Sequence, residues 1–307
     1  MEETQVVNSW VVFNMKIIGY MFEKLFQFLL TIVMIALILA FSVSLQGPRE
    51  DLFYTFWDQI QLYLGSLVFI NDISIQVTKT SYDLLINVME NPYVYSLIVL
   101  GTSFIASLVV AITLSFCSFL LPIKLRKFVQ ECLYFLQSIP DVMFIFATQL
   151  IFIGIYHKTG VMILDPIAGF DNVYILPILV VSILPGMMLS QMTLLAIEEE
   201  SQKTYVEYAI SKGLTKKWIL FKHIFRNVLV TVFSNIQYLF WFLLSNLLVL
   251  EYLFNMNGYF KLLYSLIDHH NPEAFFVCLV FLFIPFYLFD VVSKLFILKL
   301  TGKEQII

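Results

Sequence analysis

Charged residues are scarce in this sequence, and their scarcity excludes most soluble folds. Only 13% of the 307 residues are Asp, Glu, Lys or Arg, whereas 60% are hydrophobic and 31 are Phe. Soluble domains carry about 25% charged residues, so a chain this apolar is expected to lie in a membrane. The net charge of −4 says less than the positions of the charges, and no nucleic-acid partner is predicted.

Residue patterns for catalysis and for cofactors are also missing. Cys117, Cys132 and Cys278 lie in or beside apolar segments without metal-ligand spacing, and they are interpreted as small buried hydrophobic residues. The pair His269 and His270 has no HExxH motif or Cys/His cluster around it, and there is no GxxxxGK[ST] phosphate-binding loop. No catalytic residue, metal site or cofactor is predicted, so the chain is not expected to be an enzyme. Any energy it uses comes from another subunit or from an ion gradient.

Long apolar runs account for most of the remaining sequence. Crossing a hydrocarbon core about 30 Å thick takes about 20 apolar residues in a helix, and six runs are long enough. The first run exceeds the apolar core of about 7 to 15 residues in a cleaved signal peptide, so it is interpreted as a span. The sequence predicts an all-α integral membrane protein with spans at about residues 25–45, 92–121, 132–156, 173–197, 228–254 and 274–298.

The segments outside the spans predict the orientation of the chain. Residues 1–24 either lie in the membrane interface or extend the first helix into the cytosol, residues 46–91 form a large extracellular loop, and residues 299–307 form a cytoplasmic tail. With the N-terminus inside, 14 Lys and Arg residues face the cytosol and four face outside. Because basic residues accumulate on the cytoplasmic side, both termini are expected inside.

The most charged interruption between spans is at residues 198–227, with ten charges among thirty residues. A mid-helix Lys or Asp costs about 2.5 to 3.5 kcal/mol in a bilayer, so this stretch is expected to be a cytoplasmic loop between spans four and five. Residues 205–212 predict a short amphipathic helix. Gly213 fits the left-handed position that ends many helices, and Thr215 fits the N-cap of a following basic helix.

This loop resembles the EAA loop of permease subunits of ABC importers, in the branch that transports oligopeptides, dipeptides and nickel complexes. That branch shows Tyr-Val, a Lys-Gly pair and, ten residues after the glycine, His-x-x-Arg-Asn. The positions that match are Tyr205, Val206, Ala209, Lys212, Gly213, His223, Arg226 and Asn227. The sequence departs from the pattern at residues 207–208, where Arg-Thr is more common, and at residues 230–231, where a Pro is usual.

Two further motifs extend the resemblance over most of residues 20–298. Residues 138–140 (SIP) match a Ser/Ala-Ile/Leu-Pro signature, with Asp141 where an apolar residue is normal. Residues 251–258 match Glu-x-x-Phe-x-x-Pro-Gly, with Asn257 in place of the Pro. The resemblance therefore implies a multi-pass protein of the bacterial plasma membrane.

The resemblance implies a role in a heteromeric complex. A second permease subunit would form a heterodimer with this chain and complete the pathway. Two cytosolic ATP-binding subunits would hydrolyse ATP, and an extracellular solute-binding protein would deliver the solute. Membrane lipid would surround the spans. The solutes expected are peptides or related small molecules such as metal chelates. The loop helix would dock on an ATPase subunit, and the coupling residues implied are Tyr205, Glu207, Tyr208, Ala209, Gly213, Leu214, His223 and Asn227.

Carboxylates within the predicted spans give candidates for the translocation pathway. Asp141 lies ten residues after Glu131, about 15 Å along a continuous helix, which places it near mid-bilayer. A carboxylate there faces a wet cavity or is satisfied by a neighbouring polar side chain, and Pro140 beside it would bend the helix. Glu251 lies near the outer end of its span, where it either lines the pathway or caps a short outer helix.

Two other functions remain open at this stage. A degenerate permease could serve as a sensor or assembly subunit, and an ion-coupled secondary transporter would also use carboxylates in its spans. Secondary transporters are commonly built from internal repeats, and none is found here. Recovery of an ATPase partner would exclude a stand-alone carrier, and ATP-dependent uptake would exclude a sensor.

Overall fold

The computed structural model describes residues 2–45, 51–78, 81–169, 171–268 and 271–301. Side chains are described within residues 18–45, 51–75, 83–169, 171–268 and 271–295. Five residues that the sequence analysis names or includes in its count of Lys and Arg lie outside the described residues: Arg49, Lys79, His269, His270 and Lys303.

Helices make up nearly all of the described chain. A two-stranded antiparallel hairpin joins β1 (Ser74–Thr78) to β2 (Ser81–Leu84). The helices are α1 (Glu2–Ser44), α2 (Leu52–Val68), α3 (Leu85–Leu120), α4 (Ile123–Gln137), α5 (Asp141–Thr159), α6 (Ile175–Ser201), α7 (Thr204–Ser211), α8 (Lys216–Ile219), α9 (Phe225–Ser234), α10 (Ile236–Leu253), α11 (Tyr259–Asp268) and α12 (Pro272–Thr301).

Six of the described helices are long and apolar enough to cross a membrane. Their spanning parts are Ile18–Ser44, Leu85–Leu120, Asp141–Thr159, Ile175–Ser201, Ile236–Leu253 and Pro272–Leu295. The predicted all-α fold with six spans is confirmed. The alternative in which residues 1–24 extend the first helix is the one observed, since α1 begins at Glu2.

The third span differs from its predicted position. Residues 132–156 do not form one helix, because the chain leaves the helical conformation between Gln137 and Asp141. Pro140 is extended, with φ −58° and ψ 137°, and a proline disfavours helical geometry in the residue before it. Asp141 is therefore the first residue of α5 rather than a residue ten positions along a continuous helix. The argument that placed Asp141 near mid-bilayer is wrong for that reason.

Residues 1–92 and 262–307 form one compact unit. In it α12 packs against α1, where Asp290 accepts a hydrogen bond from the Tyr20 hydroxyl at 3.0 Å and pairs with Lys24 Nζ at 2.7 Å. The predicted outer loop contains α2, whose buried Tyr63 stacks on Phe276 with ring centroids 5.2 Å apart. The loop thus contributes a packed helix and a hairpin to this unit.

Residues 93–261 form the second compact unit, and α6 is its central helix. α6 has its faces covered by neighbouring helices, with contacts to α4, α5, α9 and α10. α6 also lies close to α3, because a Cβ atom added at Gly186 of α6 would be only 2.9 Å from Val110 Cγ1 of α3. Ser107 of α3 donates to the Ser182 carbonyl at 3.0 Å. These contacts hold α6 in place, and the charged loop begins at the end of this helix.

The prediction of three buried cysteines is correct only for Cys278, because Cys117 and Cys132 are exposed on the surface of the chain. An apolar residue on a membrane helix can face lipid or a partner as well as the interior of its own chain. Residue type alone therefore does not decide burial in this class of protein.

Candidate functional site

The charged loop folds as two short helices joined by a tight turn. α7 (Thr204–Ser211) is followed by a turn at Gly213, whose φ of +79° is left-handed as predicted. Thr215 caps α8 by accepting a hydrogen bond from the Trp218 amide at 3.4 Å, which confirms the predicted N-cap. The predicted basic helix is interrupted by a π-helical turn at Leu220–Ile224 before α9 begins.

A buried carboxylate, Glu200, connects α7 to the helices on either side of it. Glu200 lies at the end of α6, and its Oε1 accepts hydrogen bonds from the Tyr205 hydroxyl at 2.9 Å and from Asn227 Nδ2 at 2.5 Å. Lys203 forms an ion pair with the same carboxylate. Burial, together with the hydrogen bond to Glu200, raises the pKa of Tyr205 to about 12, so the phenol remains a donor. One side chain thus fixes α7 relative to α6 and α9.

α7 has one face turned into the protein and one turned to solvent. Val206 and Ala209 are buried, whereas Tyr208 is 63% exposed and Ile210 is also exposed. Lys212 Nζ lies 4.5 Å from the centre of the Tyr208 ring and covers one of its faces. The exposed apolar surface of this helix is therefore formed by Tyr208 and Ile210.

The eight predicted coupling residues divide into two groups in the structure. Glu207, Tyr208 and Gly213 are exposed at the end of the loop. The others are buried, half-buried or engaged in the bracing contacts: Tyr205, Ala209, Leu214, His223 and Asn227. Sequence reasoning missed Glu200, although a carboxylate five residues before a tyrosine at a helix end was a usable signal.

Replacing Glu200 by Gln is expected to loosen α7. Hydrogen bonds to a charged acceptor contribute about 1.5 to 3 kcal/mol each, and the neutral amide keeps the shape but weakens them. Amide hydrogen exchange in α7 should accelerate about tenfold or more, since 1.4 kcal/mol corresponds to a factor of ten. Glu199→Gln, an exposed neighbour with the same change of charge, is the control. Equal acceleration in both variants would contradict the bracing role.

A second polar cluster surrounds Glu251, which is fully buried at the end of α10. Its Oε1 accepts a hydrogen bond from Ser96 Oγ of α3 at 2.5 Å. Its Oε2 accepts from the backbone amides of Phe260 at 2.8 Å and Lys261 at 3.3 Å. Those amides belong to the first turn of α11, where backbone N–H groups lack intrahelical partners. Glu251 therefore caps the short helix α11, which is one of the two roles that the sequence left open.

The turn that joins α10 to α11 fits closely around this carboxylate. A Cβ on Gly258 would lie 2.2 Å from the Glu251 carboxyl carbon, so only glycine fits without movement. Asn255 has a φ of +52°, and its side-chain oxygen accepts a hydrogen bond from Lys261 Nζ at 2.9 Å. Asn257, which replaces the Pro of the resembled motif, accepts from the same Lys261 Nζ at 3.1 Å.

The pathway candidates are not gathered in one site. Asp141 lies in the first turn of α5, where a carboxylate interacts favourably with the helix dipole. The Glu251 end of α10 contacts α5 through Gln149, whose Nε2 donates to the Leu253 carbonyl at 3.1 Å. Gln149 is eight residues beyond Asp141, about 12 Å along the helix. Pro140 precedes α5 and ends the break after α4.

No group of three or more His, Cys, Asp or Glu side chains among the searched residues is placed to hold a metal ion. In the unit formed by residues 93–261, a narrow crevice between α6 and α10 is apolar and aromatic. It is lined by Pro185, Met188, Leu189, Met192, Asn235, Tyr238, Leu239 and Phe242.

Comparison with known proteins places these features in a family. Residues 103–301 match the family described as Binding-protein-dependent transport system inner membrane component. The glutathione transport system permease protein GsiC of Salmonella choleraesuis (strain SC-B67) is 30% identical over 105 residues, which are 34% of this chain and 34% of that protein. GsiC of Escherichia coli (strain K12) is 29% identical over 105 residues, with the same shares. The matched segment thus spans about a third of the length of these relatives.

A solved structure shows the same fold. It is described as inward facing conformations of the MetNI methionine ABC transporter, and the similarity covers 71% of this chain and 98% of that chain. The TM-score is 0.58 at 15% sequence identity, so the likeness concerns the fold alone.

Proposed function

Because the chain belongs to the family of binding-protein-dependent transport system inner membrane components, we propose that it forms half of the translocation pathway of an ATP-driven importer. It is a multi-pass protein of the bacterial plasma membrane and does not itself catalyse a reaction. The observation that carries the proposal is the position of α7, which exposes one face and is braced through Glu200 to two neighbouring helices.

The orientation that this function needs places the charged loop in the cytosol. The positive-inside rule supports this orientation, since 14 of the 18 Lys and Arg residues fall on one side of the six spans. Both termini and α7 are then cytoplasmic, and α11 with its Glu251 cap is extracellular.

In this function α7 docks in a groove of a cytosolic ATPase subunit. Tyr208 and Ile210 are the exposed apolar side chains available for the groove, and interface centres are enriched in such buried aromatic anchors. When the ATPase closes, the displacement of α7 passes through the Tyr205–Glu200–Asn227 contacts to α6 and α9. Because the turn at Gly213 is tight, the connection after α7 is short, and the movement of α7 is not absorbed in a flexible loop.

The remaining components are those implied by the family. A second permease subunit, as the other half of a heterodimer, lines the pathway, two ATP-binding subunits supply the energy, and an extracellular solute-binding protein delivers the cargo. The cargo proposed is a peptide or a related small solute such as a metal chelate. The similarity to permeases named for glutathione, itself a small peptide, supports this choice.

The pathway candidates receive different roles. Glu251 is enclosed by Ser96 and the first turn of α11, which supports a cap rather than contact with solute. Asp141 and Pro140 stand at the cytoplasmic start of α5 and are the candidates for the inner mouth of the pathway.

Purification of the subunit from its native membrane tests this function. The expected result is recovery of a cytosolic ATPase and a second permease, together with ATP-dependent uptake after reconstitution with the binding protein. Recovery without any ATPase would overturn the importer assignment and leave a stand-alone carrier. An ATPase-containing complex that fails to accumulate any peptide or metal chelate in the presence of its binding protein would indicate the sensor or assembly role.

A further inference from the structure

α4 is fixed to the protein along one side. Arg126 Nη1 pairs with Glu198 Oε1 of α6 at 3.0 Å, while Nη2 donates to the Phe119 carbonyl of α3 at 3.0 Å. The guanidinium also lies 4.8 Å from the centre of the Phe119 ring, and Leu133 is buried. The helix is thus held in place and does not move freely between α3 and α5.

A second side of α4 is apolar and uncovered within its unit. Leu125, Phe128, Cys132 and Phe135 are exposed, with exposed fractions of 63% for Phe128 and 70% for Phe135. Their spacing of three, four and three residues places them along one side of a helix. We call these four residues the α4 apolar strip.

The connections of α4 determine where this strip lies. α4 is not among the helices that are long and apolar enough to cross a membrane. It connects α3 to α5, which are both long and apolar enough. The chain must therefore enter and leave α4 on the same side of the membrane. Its 15 residues extend about 22 Å, less than the thickness of the hydrocarbon core, so the helix stays at one side of the membrane. The helix that follows, α5, also has exposed apolar side chains, among them Met143 and Leu150.

The polar edge of α4 carries the charges expected at an anionic surface. Lys124 and Lys127 are exposed, and in the part of the chain with described side chains neither forms an ion pair. Glu131 shares this edge, so Lys124, Lys127 and Glu131 together leave a net positive charge. Long lysine stems can cover apolar surface while the ammonium reaches a phosphate, and basic residues near an anionic leaflet are attracted to its negative surface potential.

We infer that α4 is an interfacial helix that binds anionic phospholipid of the cytoplasmic leaflet. The α4 apolar strip lies at the boundary between headgroups and acyl chains, and Lys124 and Lys127 contact lipid phosphate. Amphipathic helices with a basic polar face bind membranes in this way. The side of the membrane rests on the proposed orientation, whereas the lipid contact itself does not depend on transport.

Cys132 offers a native probe for this position. In a Cys117→Ser, Cys278→Ser background, a nitroxide on Cys132 is measured in the purified complex in phosphatidylglycerol-containing nanodiscs. The expected result is a ratio of collision with oxygen to collision with a water-soluble nickel chelate severalfold higher than at Tyr134→Cys in a cysteine-free background. Tyr134 is the matched control because it is exposed on the polar side of the same helix.

Two outcomes of the probe overturn the inference. Free collision of the Cys132 nitroxide with the nickel chelate would show that the strip faces water. Shielding from both reagents together with an immobilised spectrum would show that protein, such as the second permease subunit, covers the strip.

The charge contribution is tested by lipid analysis. A Lys124→Gln, Lys127→Gln variant should retain severalfold less phosphatidylglycerol after purification than wild type, while Lys158→Gln, an exposed lysine at the other end of α5, should retain the same amount. Equal retention in all three proteins would overturn the assignment of these lysines to lipid phosphate.

Discussion

Tyr208→Glu is expected to abolish ATP-driven uptake while the subunit stays folded and inserted. Tyr208 is 63% exposed, and substitutions at such positions usually change the free energy of unfolding by less than about 0.5 kcal/mol. In a docked interface the same change removes an aromatic anchor, worth about 2 kcal/mol or more, and buries an unpaired carboxylate. Uptake by the reconstituted complex should fall about 30-fold or more, since each 1.4 kcal/mol is tenfold.

The control for this prediction is Tyr264→Glu. Tyr264 lies on α11 and is 59% exposed, which is similar to the exposure of Tyr208. The same substitution is therefore made at a comparable tyrosine that is far from α7 in the sequence. It should leave uptake and ATPase recovery unchanged. Ala209→Glu is a poorer test of docking, because Ala209 is buried and a carboxylate there would disturb folding. Normal uptake with Tyr208→Glu would remove α7 from the coupling mechanism.

Gly258→Ala is expected to destabilise the turn between α10 and α11 by about 3 kcal/mol. The added Cβ would lie 2.2 Å from the Glu251 carboxyl carbon and 2.4 Å from its Oε2, so the carboxylate must leave its donors. Breaking the contacts of a buried charge has a cost of the same order. The measurement is the thermal midpoint and the folded fraction of the subunit in detergent.

A second substitution shows whether the clash is with Glu251. Aspartate is shorter by one methylene, so Gly258→Ala should cost much less in a Glu251→Asp background than in wild type, a coupling that a double-mutant cycle measures. Gly154→Ala in α5 is the control, because nothing lies within 4 Å of its Cβ position and Ala is favoured over Gly in a helix. Additive effects of the two substitutions would mean that Gly258 is required for another reason.

Local signals in the sequence predicted much of the loop. The left-handed conformation of Gly213 and the cap at Thr215 depend on a few neighbouring residues, so both could be read directly. The six spans follow from apolar length in the same way. The orientation of Tyr205 could not be predicted, because it depends on Glu200 of α6 and Asn227 of α9.

Long-range contacts explain the other differences. The sequence left two roles open for Glu251, and the choice depends on Ser96, 155 positions earlier in the chain. The sequence predicts a bend at Pro140 but not the full break between α4 and α5, because the apolar length of the stretch suggests a single span. The preference of the residue before a proline for extended geometry was the signal that could have divided the predicted span.

The partners of Glu251 are synthesised at different times, because they lie at different distances from it along the chain. Synthesis adds about 5 to 20 residues per second, so Ser96 is made about 8 to 30 s before Glu251, whereas Phe260 and Lys261 follow the carboxylate within about 2 s. A nascent chain that has just completed α10 therefore holds a carboxylate for which two of the three donors, the amides of Phe260 and Lys261, are still to be made. The cap on α11 can therefore form only after Phe260 and Lys261 have been synthesised.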